Sequence, residues 1–137
     1  MTPRLAPLSD EQRARVRERL ARTGRAQIND VLEKADAQAL HAAAATSEYN
    51  IVTRRGTGHV DLPAAWLASL QPHKKQALGQ AIQTAAREDF QYLYDNHPIY
   101  DLAQAGRAAP VWRDLLSFLN GDAFLRLMRE LTGEPRI

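Results

Sequence analysis

The residues best suited to chemistry in this sequence form a short His-x-Asp motif, His59-Val60-Asp61. In an extended strand the side chains at positions i and i+2 point to the same face, so His59 and Asp61 could bind one metal ion together. His97 lies further along the chain and Arg107 follows it. His97 could supply a further ligand to such a metal ion, and Arg107 could bind a carboxylate of a substrate.

The local context of these residues argues against that metal site. Asp61 stands just before Leu62-Pro63, which predicts that Asp61 is the N-cap of a helix with Pro63 in its first turn. His97 lies in Asn96-His97-Pro98, a sequence that ends helices. We therefore assign no catalytic, cofactor-binding or metal-ligating residue in this chain. The alternative, a minimal metalloenzyme, requires His59, Asp61 and His97 to converge within about 2.0–2.2 Å of one ion.

Other charged and aromatic groups have simpler interpretations. The adjacent Glu88 and Asp89 point to different sides of a helix and cannot share a proton, so we interpret them as surface charge. His73-Lys74-Lys75 is interpreted as a solvated first helical turn, with a phosphate or acidic partner as the alternative. The richest aromatic cluster is expected to pack as a core seam or as the cover of an adjoining domain, and alternatively to line a substrate entrance; it contains Phe90, Tyr92, Tyr94 and Tyr100.

Composition excludes several classes of protein. The 137 residues include no cysteine, which rules out disulfides, thiolate nucleophiles and cysteine-ligated metals. The sequence contains no Gly-rich phosphate loop, no nucleophile elbow and no His-Glu-x-x-His motif. It has no apolar stretch of the roughly 20 residues that a membrane helix needs, and its start lacks the apolar core of a secretory signal. We expect a cytoplasmic protein with no membrane partner.

The predicted elements alternate between helices and a few short strands. Ser9-Asp10-Glu11-Gln12 has the spacing of a capping box, and Gly24 is suited to end the helix that follows. Tyr49 to Leu62 is rich in β-branched residues around a glycine turn, which predicts a hairpin. The remaining predictions are a strand at residues 25–30, helices at about 31–46, 63–70, 73–94 and 111–119, a turn-rich stretch around Gly106 and Pro110, and a last helix capped by Asp122 and closed by Gly133.

The first predicted helix is unusually basic, although 18 basic and 16 acidic residues leave the whole chain at a net charge of +2. Seven arginines fall within the first 25 residues, against three acidic residues. We interpret this as a solvated helix and consider nucleic acid an unfavoured partner, because base-stacking aromatic residues are missing from the segment. The arginines are Arg4, Arg13, Arg15, Arg17, Arg19, Arg22 and Arg25.

Several segments, in their order along the chain, resemble bacterial prolyl-hydroxylase-type 2-oxoglutarate oxygenases. The resemblance rests on Phe90 to Asp101 (FQYLYDNHPIYD), Leu116 to Asn120, Phe124-Leu125, and Leu131-Thr132-Gly133, with Arg25 to Leu32 and Tyr49 to Arg54 upstream. It covers roughly residues 10–137. In that family, helices pack outside a jelly-roll barrel whose strands hold Fe(II) through a His-x-Asp/Glu pair and a distal His.

The resemblance implies an α+β, predominantly helical fold that supplies the helical support and a few short strands, with the barrel largely missing. In family order the iron and 2-oxoglutarate ligands follow the Leu-Thr-Gly segment, where this sequence has only residues 134–137. We therefore expect residues 1–137 to be a single domain, the N-terminal portion of an oxygenase domain that would continue beyond residue 137, catalytically incomplete and holding no cofactor itself.

The expected partner is the missing barrel. We also expect self-association through incompletely covered faces around Trp66, Trp112, Phe124 and Met128. The alternative function is a small non-catalytic helical interaction module, whose basic N-terminal helix binds nucleic acid or an acidic partner.

Overall fold

The computed structural model describes residues 2–136 and contains both helices and strands. Helices make up 57% of the described residues and the strands form one small antiparallel sheet, so the predicted predominantly helical α+β class is confirmed. No helix among the described residues has the length and apolar character needed to cross a bilayer. The elements are α1 (Asp10–Thr23), α2 (Lys34–Thr46), β1 (Asn50–Arg55), β2 (Gly58–Leu62), α3 (Ala64–Ser69), α4 (Pro72–Glu88), β3 (Leu93–Asn96), α5 (Ile99–Gln104), α6 (Pro110–Leu119) and α7 (Asp122–Thr132).

The chain divides into two compact units. The helical unit takes the residues up to Thr46 and those from Ile99 onward, and the sheet unit is Ser47–Pro98. The expectation that the chain is a single part of one oxygenase domain stays a prediction.

In the helical unit, α1 begins and ends as its sequence predicts. The Ser9 backbone N–H donates to Gln12 Oε1 at 2.7 Å, and the Gln12 N–H donates to Ser9 Oγ at 3.2 Å, which completes the capping box. Gly24 ends the helix with φ 68°, a left-handed conformation that glycine adopts without steric cost. Residues of α1 are not buried, so the helix lies on the surface of its unit.

The predicted strand at residues 25–30 is wrong. The Gln27 side chain donates to Asn29 Oδ1 at 3.1 Å, and Asp30 adopts a positive φ of 51°, so the segment turns instead of extending. The backbone pairing lies just beyond it, in an isolated antiparallel bridge between Leu5 and Leu32. Because residues 31–33 take part in this backbone pairing, α2 begins at Lys34, later than predicted.

The core of the helical unit lies between α6 and α7. Trp112, Phe118, Leu127 and Leu131 are each less than a tenth exposed, so the expected lack of cover is wrong for Trp112. The rings of Phe118 and Phe124 pack with centroids 5.4 Å apart. Phe124 and Met128 are half-buried.

The turn between α6 and α7 depends on Gly121. Gly121, and not Asp122, is the N-cap of α7, and no side chain caps this helix, so the predicted Asp122 cap is wrong. A Cβ at Gly121 would lie 3.2 Å from the carbonyl oxygens of both Ser117 and Phe118. A side chain at this position would press against the last turn of α6, so glycine fits this turn best.

In the sheet unit, the predicted hairpin is confirmed. β1 and β2 pair antiparallel across the two-residue turn Gly56-Thr57, with Arg55 opposite Gly58 and Ile51 opposite Leu62. Val52, at the centre of β1, is fully buried.

The helix predicted at residues 73–94 ends early, because its last part forms a strand. α4 stops at Glu88, and β3 pairs antiparallel with the free edge of β1, giving the sheet order β2-β1-β3. The helix ending predicted at Asn96-His97-Pro98 therefore ends β3. α5 follows at residues for which no helix was predicted, and the turn predicted around Gly106 comes after it.

Helices lie against one face of this sheet. Ile51 and Leu93 from the sheet, Leu67 from α3, and Ile82 from α4 line a shared apolar cavity of about 300 Å³. Trp66 on α3 remains 45% exposed.

Candidate functional site

The strands place several polar and aromatic side chains on the other face of the sheet. Directly opposite residues of an antiparallel pair share a face, and His59 lies opposite Arg54 while Asp61 lies opposite Val52. Val52 is also paired with Tyr94 of β3. We call His59, Asp61, Arg54, Tyr92 and Tyr94 the sheet-face cluster.

Two hydrogen bonds link three members of the sheet-face cluster. His59 Nε2 lies 3.2 Å from Asp61 Oδ2, and the Tyr92 hydroxyl lies 3.4 Å from His59 Nδ1. An ionised carboxylate only accepts, so Nε2 donates to Asp61, and in the neutral imidazole Nδ1 then accepts from Tyr92. The side chains of His59 and Asp61 are 54% and 47% exposed. This carboxylate–imidazole–phenol chain is in contact with solvent.

The predicted Asp61 cap is wrong because β2 continues through Leu62. α3 begins at Ala64 with Pro63 as N-cap, and no side chain provides the capping bond. The Ala64 N–H instead donates to Asn50 Oδ1 at 3.3 Å, and the Asp61 carboxylate is free to bond His59. The strand geometry of the His-x-Asp motif is therefore correct, with both side chains on one face.

Aromatic rings continue the sheet-face cluster along β3. The ring centroids are 6.2 Å apart for Phe90 and Tyr92 and 5.8 Å apart for Tyr92 and Tyr94. Phe90 is 71% exposed and Tyr94 50%. The expected core seam is therefore wrong for these two residues, while a role as cover or as substrate entrance stays a prediction. Tyr100 belongs to α5 of the helical unit and is also exposed.

Arg54 holds the segment that leads into β3. Its Nη1 donates to the Phe90 carbonyl at 2.7 Å and its Nη2 lies 3.1 Å from Asp89 Oδ2, while its backbone N–H donates to Gln91 Oε1 at 3.1 Å. These bonds tie the residues after α4 to β1, and they explain why the chain leaves the helix at Asp89. Asp89 thus has a positioning role, and it forms no acid/base pair with Glu88.

The alternative metal site does not assemble. Asn50 of β1 pairs with Asn96, the neighbour of His97, and Arg54 of β1 pairs with His59. A strand rises about 3.3 Å per residue, so Asn50 and Arg54 are about 13 Å apart, and His59 and His97 lie near opposite ends of β1. His97 Nδ1 bonds the Glu48 carbonyl at 2.7 Å. Arg107 belongs to the helical unit. Within residues 2–136, no three or more His, Asp or Glu side chains form a group that could hold a metal ion.

The helical unit contains a buried ion pair that the sequence analysis did not find. Asp36 Oδ2 accepts from the Arg4 backbone N–H at 2.9 Å and from Arg4 Nε at 3.0 Å. The Asp36 side chain is fully buried, whereas that of Arg4 is 68% exposed. The hydrogen bond from the Arg4 side chain lowers the pKa of Asp36 below its usual 3.8 despite burial, and the same bond raises the pKa of Arg4.

A polar cleft of about 310 Å³ lies between α1 and residues 27–29 in the helical unit. We call it the arginine cleft, and it is lined by Leu8, Gln12, Arg15, Val16, Arg19, Gln27, Ile28 and Asn29. The abundance of arginine on α1 was visible in the sequence. The amide side chains that face it were not, because residues 25–30 were predicted as a strand.

Comparisons with known proteins returned no relative: no protein-family model, no curated protein and no solved structure matches this chain.

Proposed function

We propose that this chain is the N-terminal part of an Fe(II)- and 2-oxoglutarate-dependent dioxygenase of the prolyl-hydroxylase type, and that it supports a metal-binding barrel. The proposal starts from the order of segments described above. The structural observation that carries it is an incomplete sheet: helices cover one face, and β2 and β3 are both edge strands within the described residues.

The exposed side chains of β3 support this role. Leu93 is 57% exposed and Tyr94 50%, and the neighbouring Phe90 is 71% exposed. An uncovered edge strand with apolar side chains pairs readily with a further strand, and natural proteins usually cover such an edge. A barrel that follows in the same polypeptide would supply both the strand and the cover.

The residues of this chain do not fit the Fe(II) site of the family. That site needs three convergent donors, with positions left open for 2-oxoglutarate and oxygen. Here His59 and Asp61 bond each other, and His97 lies at the other end of β1. We therefore propose no iron ligand in this chain, and its contribution is to hold and cover the barrel.

The first test is the coding sequence downstream of codon 137, read in all three frames. The proposal expects an alternating strand with His-x-Asp or His-x-Glu, a distal histidine and a basic residue after it. The polypeptide that includes this region should decarboxylate 2-oxoglutarate only when Fe(II) is present. The absence of such a region in every frame would refute the proposal, as would tight stoichiometric binding of Fe(II) and 2-oxoglutarate by the 137-residue chain in calorimetry.

A matched pair of variants tests the role of the edge strand in that longer polypeptide. Tyr94→Glu places a charge on β3 and should lower the yield of folded, active enzyme. Tyr100→Glu changes a tyrosine on α5 that is 65% exposed, and it should have little effect. Equal behaviour of the two variants would remove the support that the sheet edge gives to the proposal.

A further inference from the structure

The arginines of α1 divide between two sides of the helix. Arg13 and Arg17 point to α7, where both pair with the carboxylate of Glu130. At about 100° per residue, Arg15, Arg19 and Arg22 follow one another along a different side. Because α1 buries no residue, these three arginines do not complete a core.

This second side also carries Glu11 and Glu18, so its three arginines leave it with one net positive charge. Arg15 has an exposed partner, Glu11, at 3.7 Å, with side chains 66% and 79% exposed. Exposed pairs of this kind are weak and are screened by salt, so Arg15 can exchange Glu11 for a stronger anion. Arg19 and Arg22 have no ion pair with the part of the chain that the structure describes.

The amide groups in the arginine cleft present donors. Gln12 Oε1 accepts from the Ser9 N–H in the capping box, which leaves the Gln12 NH₂ group as its donor end. Asn29 Oδ1 accepts from Gln27 Nε2 at 3.1 Å, which likewise leaves the Asn29 NH₂ group. Two guanidinium groups and two amide NH₂ groups therefore line one cleft, and this set of donors matches a phosphate group.

We propose that the arginine cleft, extended by Arg22, binds the phosphodiester backbone of nucleic acid. Arg15 to Arg22 span about 10 Å along the helix, whereas the phosphates of one strand recur about every 3.4 Å along the duplex axis, so the row faces more than one phosphate. Aromatic residues do not line the cleft, so recognition is through the backbone and independent of base sequence. The site is separate from the oxygenase proposal and stands or falls without it.

The test measures binding of a short labelled DNA duplex of mixed sequence to the intact chain by fluorescence anisotropy. Three arginine–phosphate contacts predict a slope of about −2.7 for log K against log salt, which is about a 40-fold loss between 50 and 200 mM salt. Arg15→Gln/Arg19→Gln/Arg22→Gln should weaken binding at least about tenfold and bring the slope close to zero.

A matched variant separates the cleft from general charge. Arg55→Gln/Arg87→Gln/Arg113→Gln removes the same three charges from exposed positions that do not line the cleft, and it should bind as the unchanged chain does. An equal loss in both triple variants would overturn the proposal, and so would an unchanged chain that does not bind the duplex. The combined fluorescence of Trp66 and Trp112, one in each unit, checks that each variant is folded.

Asn29→Asp tests the cleft without removing an arginine. It keeps the oxygen that accepts from Gln27 and puts a carboxylate where the NH₂ donor was, so affinity for the duplex should fall several-fold. Unchanged affinity would contradict the proposed site. A duplex bound no more tightly than inorganic phosphate, or no more tightly than poly-glutamate, would also overturn it, the first in favour of a small-anion site and the second in favour of an acidic protein partner.

Discussion

The helical unit and the sheet unit bury their apolar residues unequally. The helical unit closes a core around Trp112, Phe118, Leu127 and Leu131. In the described residues of the sheet unit, Val52 is the one apolar side chain that is buried, while Trp66 is 45% and Phe90 71% exposed. The amphipathic helices α6 and α7 follow each other closely and can cover one another, whereas on the sheet His59, Asp61 and Tyr94 stay about half exposed around the buried Val52.

This difference bears on which of the two units could pair with a further strand. A helix pair that buries its own apolar side chains is complete as a local structure. A sheet with an exposed apolar edge is suited to be continued, which agrees with the proposed role beside a barrel.

The largest expected effect is that of Trp112→Ala. Truncating a buried tryptophan should destabilise the helical unit by about 3–5 kcal/mol, because it removes the apolar contacts of the ring and leaves a cavity. Amide hydrogen exchange should show loss of protection first in α6 and α7. A loss of less than about 1 kcal/mol would mean that this core is not what stabilises the unit.

Val52→Ala should have a smaller effect, about 2 kcal/mol, because fewer buried atoms are removed from the sheet unit. In a Trp112→Phe background, Trp66 is the remaining tryptophan and reports denaturant unfolding of the sheet unit, since the sequence contains two tryptophans. A change below about 0.5 kcal/mol would show that the sheet is stabilised elsewhere.

Asp36→Asn should make the helical unit less stable in a pH-dependent way. The pKa of Asp36 is lowered in the folded state, so its charge stabilises the fold above the usual value of 3.8, and this stabilisation is lost as the pH falls through the lower folded pKa. Denaturant midpoints of the two proteins should therefore differ at neutral pH and converge in acid. The effect should be smaller than that of core truncation because Arg4 is 68% exposed. A constant difference down to about pH 2 would contradict the assignment.

Ser9→Ala should cost about 1 kcal/mol, because it removes the side-chain acceptor of the capping box at the start of α1. Circular dichroism during denaturation measures the loss. Ser117→Ala, at an exposed position on α6, is the matched control and should be nearly neutral. Equal losses would show that the cap contributes nothing of its own.

The smallest effects are expected in the sheet-face cluster. His59→Gln and Asp61→Asn should each change the free energy of unfolding by no more than about 0.5 kcal/mol, because both side chains are about half exposed and salt screens their pair. A loss above about 1 kcal/mol for either variant would show that this face is better covered than its exposure indicates.

Local sequence signals correctly predicted the elements that depend on interactions between near neighbours in the chain. The capping box of Ser9 and Gln12, the glycine stop at Gly24 and the Gly56 turn all depend on residues within a few positions of one another, and each is confirmed. The signals at Asp61 and Asp122 were similar in kind and misled, because β2 continues through Asp61, whose carboxylate bonds His59, and because Asp122 stands in the first turn of α7 and not before it.

The larger errors came from pairing partners that are distant in sequence. Residues 90–94 continue the apolar spacing of α4, but the free edge of β1 offers them backbone hydrogen bonds, and Arg54 holds Asp89 and Phe90 in place for that pairing. For the arginine cleft, the sequence indicated the basic residues of α1. It did not indicate that Gln27 and Asn29 line the same cleft, because that depends on the turn that includes Asp30.

The amino-acid sequence by itself determined the α+β class, the hairpin, the limits of α1 and α6, the end of α7 at Gly133, and the presence of a His-x-Asp motif, because periodicity, caps and glycine turns act between near neighbours. Only the tertiary structure decided that β3 is a strand, that Asp36 is buried against Arg4, and that His59 and Asp61 bond each other while His97 lies at the other end of β1. Those outcomes depend on which backbone and side-chain groups, distant in sequence, form hydrogen bonds with one another. The spacing of residues along the chain does not show which groups will pair.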